Sequence, residues 1–385
     1  MKGLDVLKGV RIVEQGTFIT GPCCGMMLAD LGADVIKLES PDGDPYRAYQ
    51  GGNYSPHFQA YNRNKRSLAL DMKQPGDRGV FDTLIRDADV FIQNFRPGTA
   101  DRLGAGAKRL QELNPKLVYC SISGFGGDGP YVDRPSYDSV AQALSGFLSV
   151  VVDPDRPRFL GPALADAITG IYASYGILGA LFDRSRTGKG RVVEVSMLEA
   201  MAHFAVEPFA AFFALGTVPK SSDRPRLAQA HILRTSDGGL IAIHLSSLEK
   251  FWTGLLAAVE APELGTDPRF NTRLLRIDNY DALGRELDAR FSKRTVADWV
   301  EKLGAADVPF APINKVSDVV EDPQVKHLGL MVPVENPHAA KQSVRPPVQF
   351  DGQRAQGVRP APMLNEHGDD IRARLTAATG WPDLR

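Results

Sequence analysis

The chain predicts an α/β fold on a mostly parallel sheet, followed by a smaller α+β domain. Three observations carry that expectation. Short β-branched runs alternate with helical stretches through the first 200 residues, the runs are apolar along their length, and a stretch rich in Gly, Pro, Ser and charge (Gly216–Arg226) then breaks the pattern. Alternating strand and helix signals point to a parallel sheet with helices on its faces, and strands covered on both faces must be apolar on both. Composition agrees. The 385 residues are 43% hydrophobic and 24% charged, too apolar for a disordered chain and long enough for two domains or one large α/β unit.

Each element has a local reason. Val10–Val13 reads as the first strand, and Gly21-Pro22 opens CCGMMLADLG as a helix, with Pro22 suited to the first helical position, where a missing N–H is harmless. Asp34–Leu38 and Ser67–Leu70 are the next strands. Arg78–Ala88 is an amphipathic helix with Val80, Leu84 and Ile85 on one face. Asp89–Ile92, a short helix at Ala107–Leu113 and Leu117–Ile122 follow, and Arg191–Val195 adds a strand after a long helix. Past the linker, Asp237-Gly238-Gly239 precedes LIAIHL as a hairpin or a loop entering a strand. Helices are expected at Phe251–Val259, Tyr280–Phe291 and Val296–Leu303. A Pro-rich tail, Val332–Pro362, leads to a last helix near Asp369–Thr379.

Charge and cysteine usage narrow the function classes. A formal net charge of -1 excludes a strongly basic nucleic-acid protein but leaves room for a local basic pocket holding a phosphorylated small molecule. Three cysteines, two of them adjacent (Cys23, Cys24), point to a reducing compartment and offer no zinc site. The first residues carry no apolar stretch before a small-residue cleavage site. The tracts around Ile168–Leu181 and Met201–Leu215 are broken by Gly or by Glu207-Pro208, so no membrane helix is expected and the cytoplasm is the expected location.

Single motifs are weak. Gly124-Phe125-Gly126-Gly127-Asp128-Gly129 matches GxGxxG after a strand, but Pro130 follows and no helix opens to face a pyrophosphate, so a flexible glycine loop is the better reading. Gly188-Lys189-Gly190 lacks the earlier glycine and the Ser/Thr of a P-loop. The seven histidines are scattered without HExxH or cysteine spacing, and no GxSxG elbow occurs. Cys23-Cys24 inside a helix reads as core thiols. Basic residues gather at Asn62-Arg63-Asn64-Lys65-Arg66 with Lys73 after, and at Arg96 with Arg102. Both clusters adjoin predicted strands, the second just past a carboxyl end, where open α/β sheets bind ligands, so a phosphate ligand is expected there. Asp166 precedes a helix rich in small residues, and residue type alone makes it an N-cap.

The chain as a whole resembles the class III CoA-transferase family, which includes formyl-CoA, carnitine and bile-acid-inducible transferases. The resemblance is carried in order by LKGVRIVEQG, GPCCGMMLADLGADVIKLE, GDPYR, NKRSLALDMK, NFRPG, RLQELNPKLVYCSISGFGGDGPY, SYDSVAQALSG, GPALADAITG, RTGKGRVVEVSMLEAM, DPRFNTRLLR and APMLNEHG. It implies a large Rossmann-like parallel-sheet domain plus a smaller α+β domain, in an interlocked homodimer. The large domain would run over residues 1–215 and again over 326–385, with the small domain and its linker at 216–325. The implied nucleophile is Asp166, kept ionised by the helix N-terminus. Coenzyme A is a substrate, and neither metal nor prosthetic group is needed.

Further implications are positional. CoA contacts fall on Ile19 and Thr20, on Leu70, Asp71, Met72 and Lys73, on Asn94, Phe95 and Arg96, and on Arg102, with Tyr137 and Asp138 on the pantetheine side. Gly124, Gly126, Gly127 and Gly129 form an active-site loop that supplies or covers oxyanion donors. The chain departs from formyl-CoA transferase in carrying Ile19 for a glutamine and Ser40 for an arginine, and in lacking a longer glycine-rich loop between Leu215 and Gly239. Those departures argue against formate or oxalate and for a bulkier or less polar acyl group. Succinyl-CoA, a common donor in the family, is the default. Two alternatives stand beside transfer: a 2-methylacyl-CoA racemase of the same fold and a non-catalytic CoA-binding protein. The racemase uses a histidine base where this chain has Tyr137, and a phenol is a poor base at neutral pH.

Overall fold

The computed structural model describes residues 4–50, 52–159, 161–336, 340–377 and 381–382, and the chain divides into two compact units. The larger is Met1–Leu148, Phe159–Val206 and Gln324–Arg385; the smaller is Ser149–Arg158 and Glu207–Pro323. The smaller unit therefore starts before residue 216 and takes in a separate segment of the N-terminal half.

In the larger unit the elements are Arg11–Gln15 (β1), Thr20–Asp30 (α1), Asp34–Glu39 (β2), Pro56–Asn62 (α2), Arg66–Ala69 (β3), Pro75–Asp87 (α3), Val90–Gln93 (β4), Thr99–Arg102 (α4), Ala107–Leu113 (α5), Val118–Ser123 (β5), Asp138–Leu144 (α6), Leu164–Thr187 (α7), Val192–Ser196 (β6) and Met197–Phe204 (α8). Six strands pair in the order β3-β2-β1-β4-β5-β6, all parallel, with Val13 opposite both Ile36 and Phe91. Successive crossovers run outward from β1 in one direction and then restart from β4 in the other. The order therefore reverses between β1 and β4, and a crevice opens at their carboxyl ends. Both sheet faces are covered. Val13, Leu38, Leu68, Phe81 and Phe91 pack on one side, and Ile12, Leu28, Val35, Ile92 and Ile177 on the other.

Pro22 is the third residue of α1, because the helix already begins at Thr20. Its ring is tolerated there since the first-turn N–H groups have no intrahelical partner. Helix α7 is long and apolar enough to cross a membrane by composition. Its face of Ala165, Gly170, Ala173, Ser174 and Ile177 is buried within the unit. Gly170 is what lets α1 approach: a Cβ there would stand 2.7 Å from Cys23 Cβ and 2.9 Å from Thr20 O.

The smaller unit carries an antiparallel sheet of Ala230–Arg234 (β7), Leu240–His244 (β8) and Phe310–Pro312 (β9), with β7 and β8 joined as a hairpin through Asp237-Gly238-Gly239. Helices Glu249–Ala258, Tyr280–Phe291 and Val296–Ala305 bury Trp252, Leu287, Phe291 and Trp299 around it. The linker is not all irregular, since Asp223–Ala228 is helical. Nor is the Pro-rich tail, where Met331–Pro333 and Gln342–Val344 pair antiparallel. Residues 337–339 of that tail and 378–379 of the expected last helix lie outside the described residues; the helix itself is Gly368–Ala377.

Candidate active site

The loop leaving β1 and the loop leaving β4 meet at the switch point. Asn94 ties them: its Oδ1 accepts the Thr17 N–H at 2.9 Å, and its Nδ2 donates to Thr17 O and to Thr20 Oγ1, both at 2.8 Å. Phe18 between them sits at φ +58°, a left-handed conformation that costs a bulky residue on the order of 1–3 kcal/mol. Asp44 compensates. Its Oδ1 accepts the N–H of Phe18 at 3.1 Å and of Tyr46 at 2.9 Å, and its other oxygen lies 3.0 Å from Lys37 Nζ. Phe18 thereby packs against Tyr46 at 5.8 Å and edge-on to Tyr137 at 6.2 Å, making an aromatic wall.

That wall bounds a cavity of about 500 Å3, lined also by Ile19, Thr20, Asn94, Phe95, Arg96, Gly124, Gly126, Arg134 and Asp166. A second cavity of about 620 Å3 is lined by Ser40, Leu70, Asp71, Met72 and Lys73 and shares Thr17 and Phe95 with the first. The two cavities adjoin at the ends of β1 and β4, Asp166 and Arg96 lining the first and Lys73 the second.

Asp166 stands at the third residue of α7. The N-cap is Ala163, which has no side-chain oxygen, so the N-cap reading of Asp166 is corrected. Asp138 does that work from α6: its Oδ1 accepts the N–H of Ala165 at 2.7 Å and of Asp166 at 3.3 Å, and its Oδ2 accepts from Gln142. The electrostatic expectation is also corrected. Burial, with the Asp138 charge added, pushes the Asp166 carboxyl up from 3.8 to about 7, so desolvation outweighs the helix terminus that was expected to keep it ionised. Tyr46, Tyr61 and Cys23 face it electrostatically, and no Lys or Arg pairs with it among the described residues.

Beneath the cavity lies the opposite arrangement. Glu14, fully buried, is 2.6 Å from Lys65 Nζ and 3.4 Å from Lys37 Nζ. Lys65 also donates to Pro22 O and Asn62 Oδ1, and Lys37 to Gly16 O. Burial opposes the ionisation of Glu14, yet the two lysines hold it below its ordinary value; burial also pulls Lys65 down to about 8. Glu39 makes a two-point bond to Arg47 at 2.7 and 2.8 Å. These ion pairs fix the loops that carry Phe18 and Tyr46.

The site thus sets a carboxylate of raised pKa and the cation of Arg96 in one cavity, with Lys73 in the adjoining one. The family model for CoA-transferase family III matches residues 7–368. The chain belongs to this family. An acetyl-CoA:oxalate CoA-transferase of Acetobacter aceti is 34% identical, with 96% of this chain and 95% of the relative covered. The human succinyl-CoA:glutarate CoA-transferase is 33% identical, covering 96% and 86%. A solved CAIB/BAIF family protein from Brucella suis superposes with a TM-score of 0.87 at 35% identity, covering 97% of this chain and all of that one.

Within this family III CoA-transferase, the structure brings Ile19, Thr20, Asn94, Phe95, Arg96, Tyr137, Gly124, Gly126 and Asp166 to one cavity, and Leu70, Asp71, Met72, Lys73 and again Phe95 to the other. Arg102 lines neither; its guanidinium donates to Thr99 Oγ1 at the exposed end of α4. Gly127, Gly129 and Asp138 are likewise outside both linings. The cluster Arg63–Arg66 is no phosphate site. It leads into β3, whose first residue is Arg66, rather than following it, and its charges are spent internally, Arg63 on Asp30, Lys65 on Glu14 and Arg66 on Asp34. Gly124 has a packing reason, because a Cβ would fall 2.4 Å from Ser136 Cβ. Sequence reasoning assigned no role to Phe18, Asp44, Tyr46 or Arg134. The GDPYR block holding Asp44 and Tyr46 was the available signal. No group of three or more His, Cys, Asp or Glu suited to a metal occurs among the described residues.

Proposed function

We propose that the chain moves CoA from an acyl-CoA donor, succinyl-CoA by default, to a carboxylic acid through covalent intermediates on Asp166. The supporting observation is the half-buried Asp166 carboxylate, paired with no Lys or Arg among the described residues, in a cavity that Tyr137 also lines and that adjoins the one lined by Lys73. An Asp166 oxygen attacks the thioester carbonyl, and the C–S bond breaks to give a mixed anhydride and CoA thiolate. The thiolate attacks the aspartyl carbonyl, releasing the donor acid with one oxygen from Asp166 and leaving an aspartyl-CoA thioester. The acceptor carboxylate enters by the mirror steps. Every intermediate stays close in energy to a thioester, which a serine ester would not. The glycine loop gives backbone to the cavity at Gly124 and Gly126, although the Gly126 N–H is already committed to Ser123 Oγ at 2.9 Å.

The reading includes an interlocked homodimer. Its support is an apolar stripe on α7 exposed in the single chain, with Tyr175 at 74% and Phe182 at 68%. A solution mass that falls to the monomer on dilution would contradict it. Three free, buried cysteines support a cytoplasmic setting. The test of the chemistry is mass spectrometry of succinyl-CoA incubated in heavy water with a pool of acids and 2-methylacyl-CoA. New acyl-CoA products, absent with Asp166→Ala, are expected. Deuterium at the α-carbon without new thioesters would establish the racemase instead, and acyl-CoA binding with neither product would leave a binding protein.

A further inference from the structure

Two glutamines stand side by side where the strand order reverses. Gln15 closes β1 and Gln93 closes β4, and the parallel register sets them opposite each other. Both are buried, at 8% and 4% exposed. Both ends of Gln93 are used: its Nε2 donates to Ser121 Oγ at 2.8 Å, and its Oε1 accepts the Phe95 N–H at 2.7 Å. Gln15 differs. Its Oε1 is enclosed and has no hydrogen-bond partner among the described residues. An enclosed acceptor without a donor is costly, so its donor is to be sought in a ligand.

Gln15 lies two residues beyond Val13, and alternate side chains of a strand leave the same face. The packing on that face includes Leu38, Leu70, Met72 and Leu103, which with Gln15 and Phe95 line the cavity of about 620 Å3 that also holds Lys73. Of the carboxylates in that lining, Glu39 and Asp44 are paired with Arg47 and Lys37, which leaves Asp42 and Asp71 against Lys73. An apolar cleft with surplus acid disfavours phosphate in its interior and suits a neutral, planar group. In CoA that group is the adenine, whose edge sets an amino donor beside a ring-nitrogen acceptor. We infer that Gln15 hydrogen-bonds this edge, Oε1 accepting from the amino group and Nε2 donating to the ring nitrogen, and so selects the base of the coenzyme. The amide fork matches adenine at two points, and the soft terminal torsion of a glutamine lets the amide turn to meet it. This deepens the transferase reading above and rests on it.

The test measures, by calorimetry, the affinity of the full-length wild type and of Gln15→Met for CoA and for CoA whose adenine amino group is replaced by hydrogen. The wild type is expected to bind CoA about 10-fold more tightly than the analogue, the scale of one hydrogen bond left unmade. Gln15→Met keeps the volume without the amide and is expected to bind the two equally. Each ratio is internal to one protein, and the wild-type ratio stands even if the variant does not fold. Equal binding by the wild type, or a preference retained in Gln15→Met, would overturn the inference. So would an equal loss of affinity in Gln15→Met for CoA and for phosphopantetheine, which has no base, because the amide would then read the pantetheine arm. A wild type that binds neither CoA nor its analogue would sink the transferase reading instead, a separate result.

Discussion

Buried carboxylates occur in two settings in the larger unit, and their contrast organises the site. Glu14 and Glu39 are enclosed with lysine and arginine, and their cations hold them below the ordinary carboxylate range despite burial. Asp166 is desolvated as well, but the charge that acts on it is another carboxylate, Asp138, and it rises to about 7. Burial is common to both; compensation is not. Where charge is neutralised it pins loops, and where compensation is withheld the carboxyl titrates well above the ordinary range. The first setting serves the second, because Lys37 links Glu14 to Asp44, and Asp44 holds Phe18 and Tyr46 at the cavity wall.

Breaking the compensated setting has the largest expected effect. Lys37→Met leaves Asp44 without its cation and Glu14 with one in place of two. Removing one partner of a buried pair costs about 3–5 kcal/mol, so chemical denaturation should show the larger unit weakened by about that much. A loss below about 1 kcal/mol would mean that the network is not what holds these loops. A smaller effect sharpens the uncompensated setting. The proposed attack requires ionised Asp166, so kcat/KM should fall as pH drops through about 7. Asp138→Asn keeps an oxygen to cap α7 and removes the second cause of the shift, so the acid limb should move to lower pH. Burial, the larger cause, should keep it above the ordinary aspartate value. A limb that stays in place or moves up would contradict this assignment.

The fold was largely legible because parallel strands write themselves as apolar runs. Asp34–Leu38 lies inside β2, Ala107–Leu113 coincides with α5, and Tyr280–Phe291 is a helix to the residue. Boundaries slipped where tertiary contacts decide them, as when α1 starts at Thr20 instead of Pro22. Asp166 was singled out through the GPALADAITG block and not through its chemistry, since an aspartate before a helix looks like a cap. What made it different is Asp138, 28 residues earlier in sequence, taking over the capping. The basic run Arg63–Arg66 misled for a related reason: whether a cation is free depends on acids at Glu14, Asp30 and Asp34 that only folding brings near.

The covalent role of Asp166 has a direct isotopic readout. In the proposed exchange the acceptor acid leaves one of its oxygens on Asp166 when CoA thiolate releases the new acyl-CoA. Turnover of a carboxyl-18O acceptor acid should therefore place label in the peptide containing Asp166, read by mass spectrometry, and in proportion to turnover at early times. Transfer that proceeds with Asp166 unlabelled would contradict the account, because CoA would then pass between the acids without ever residing on the protein.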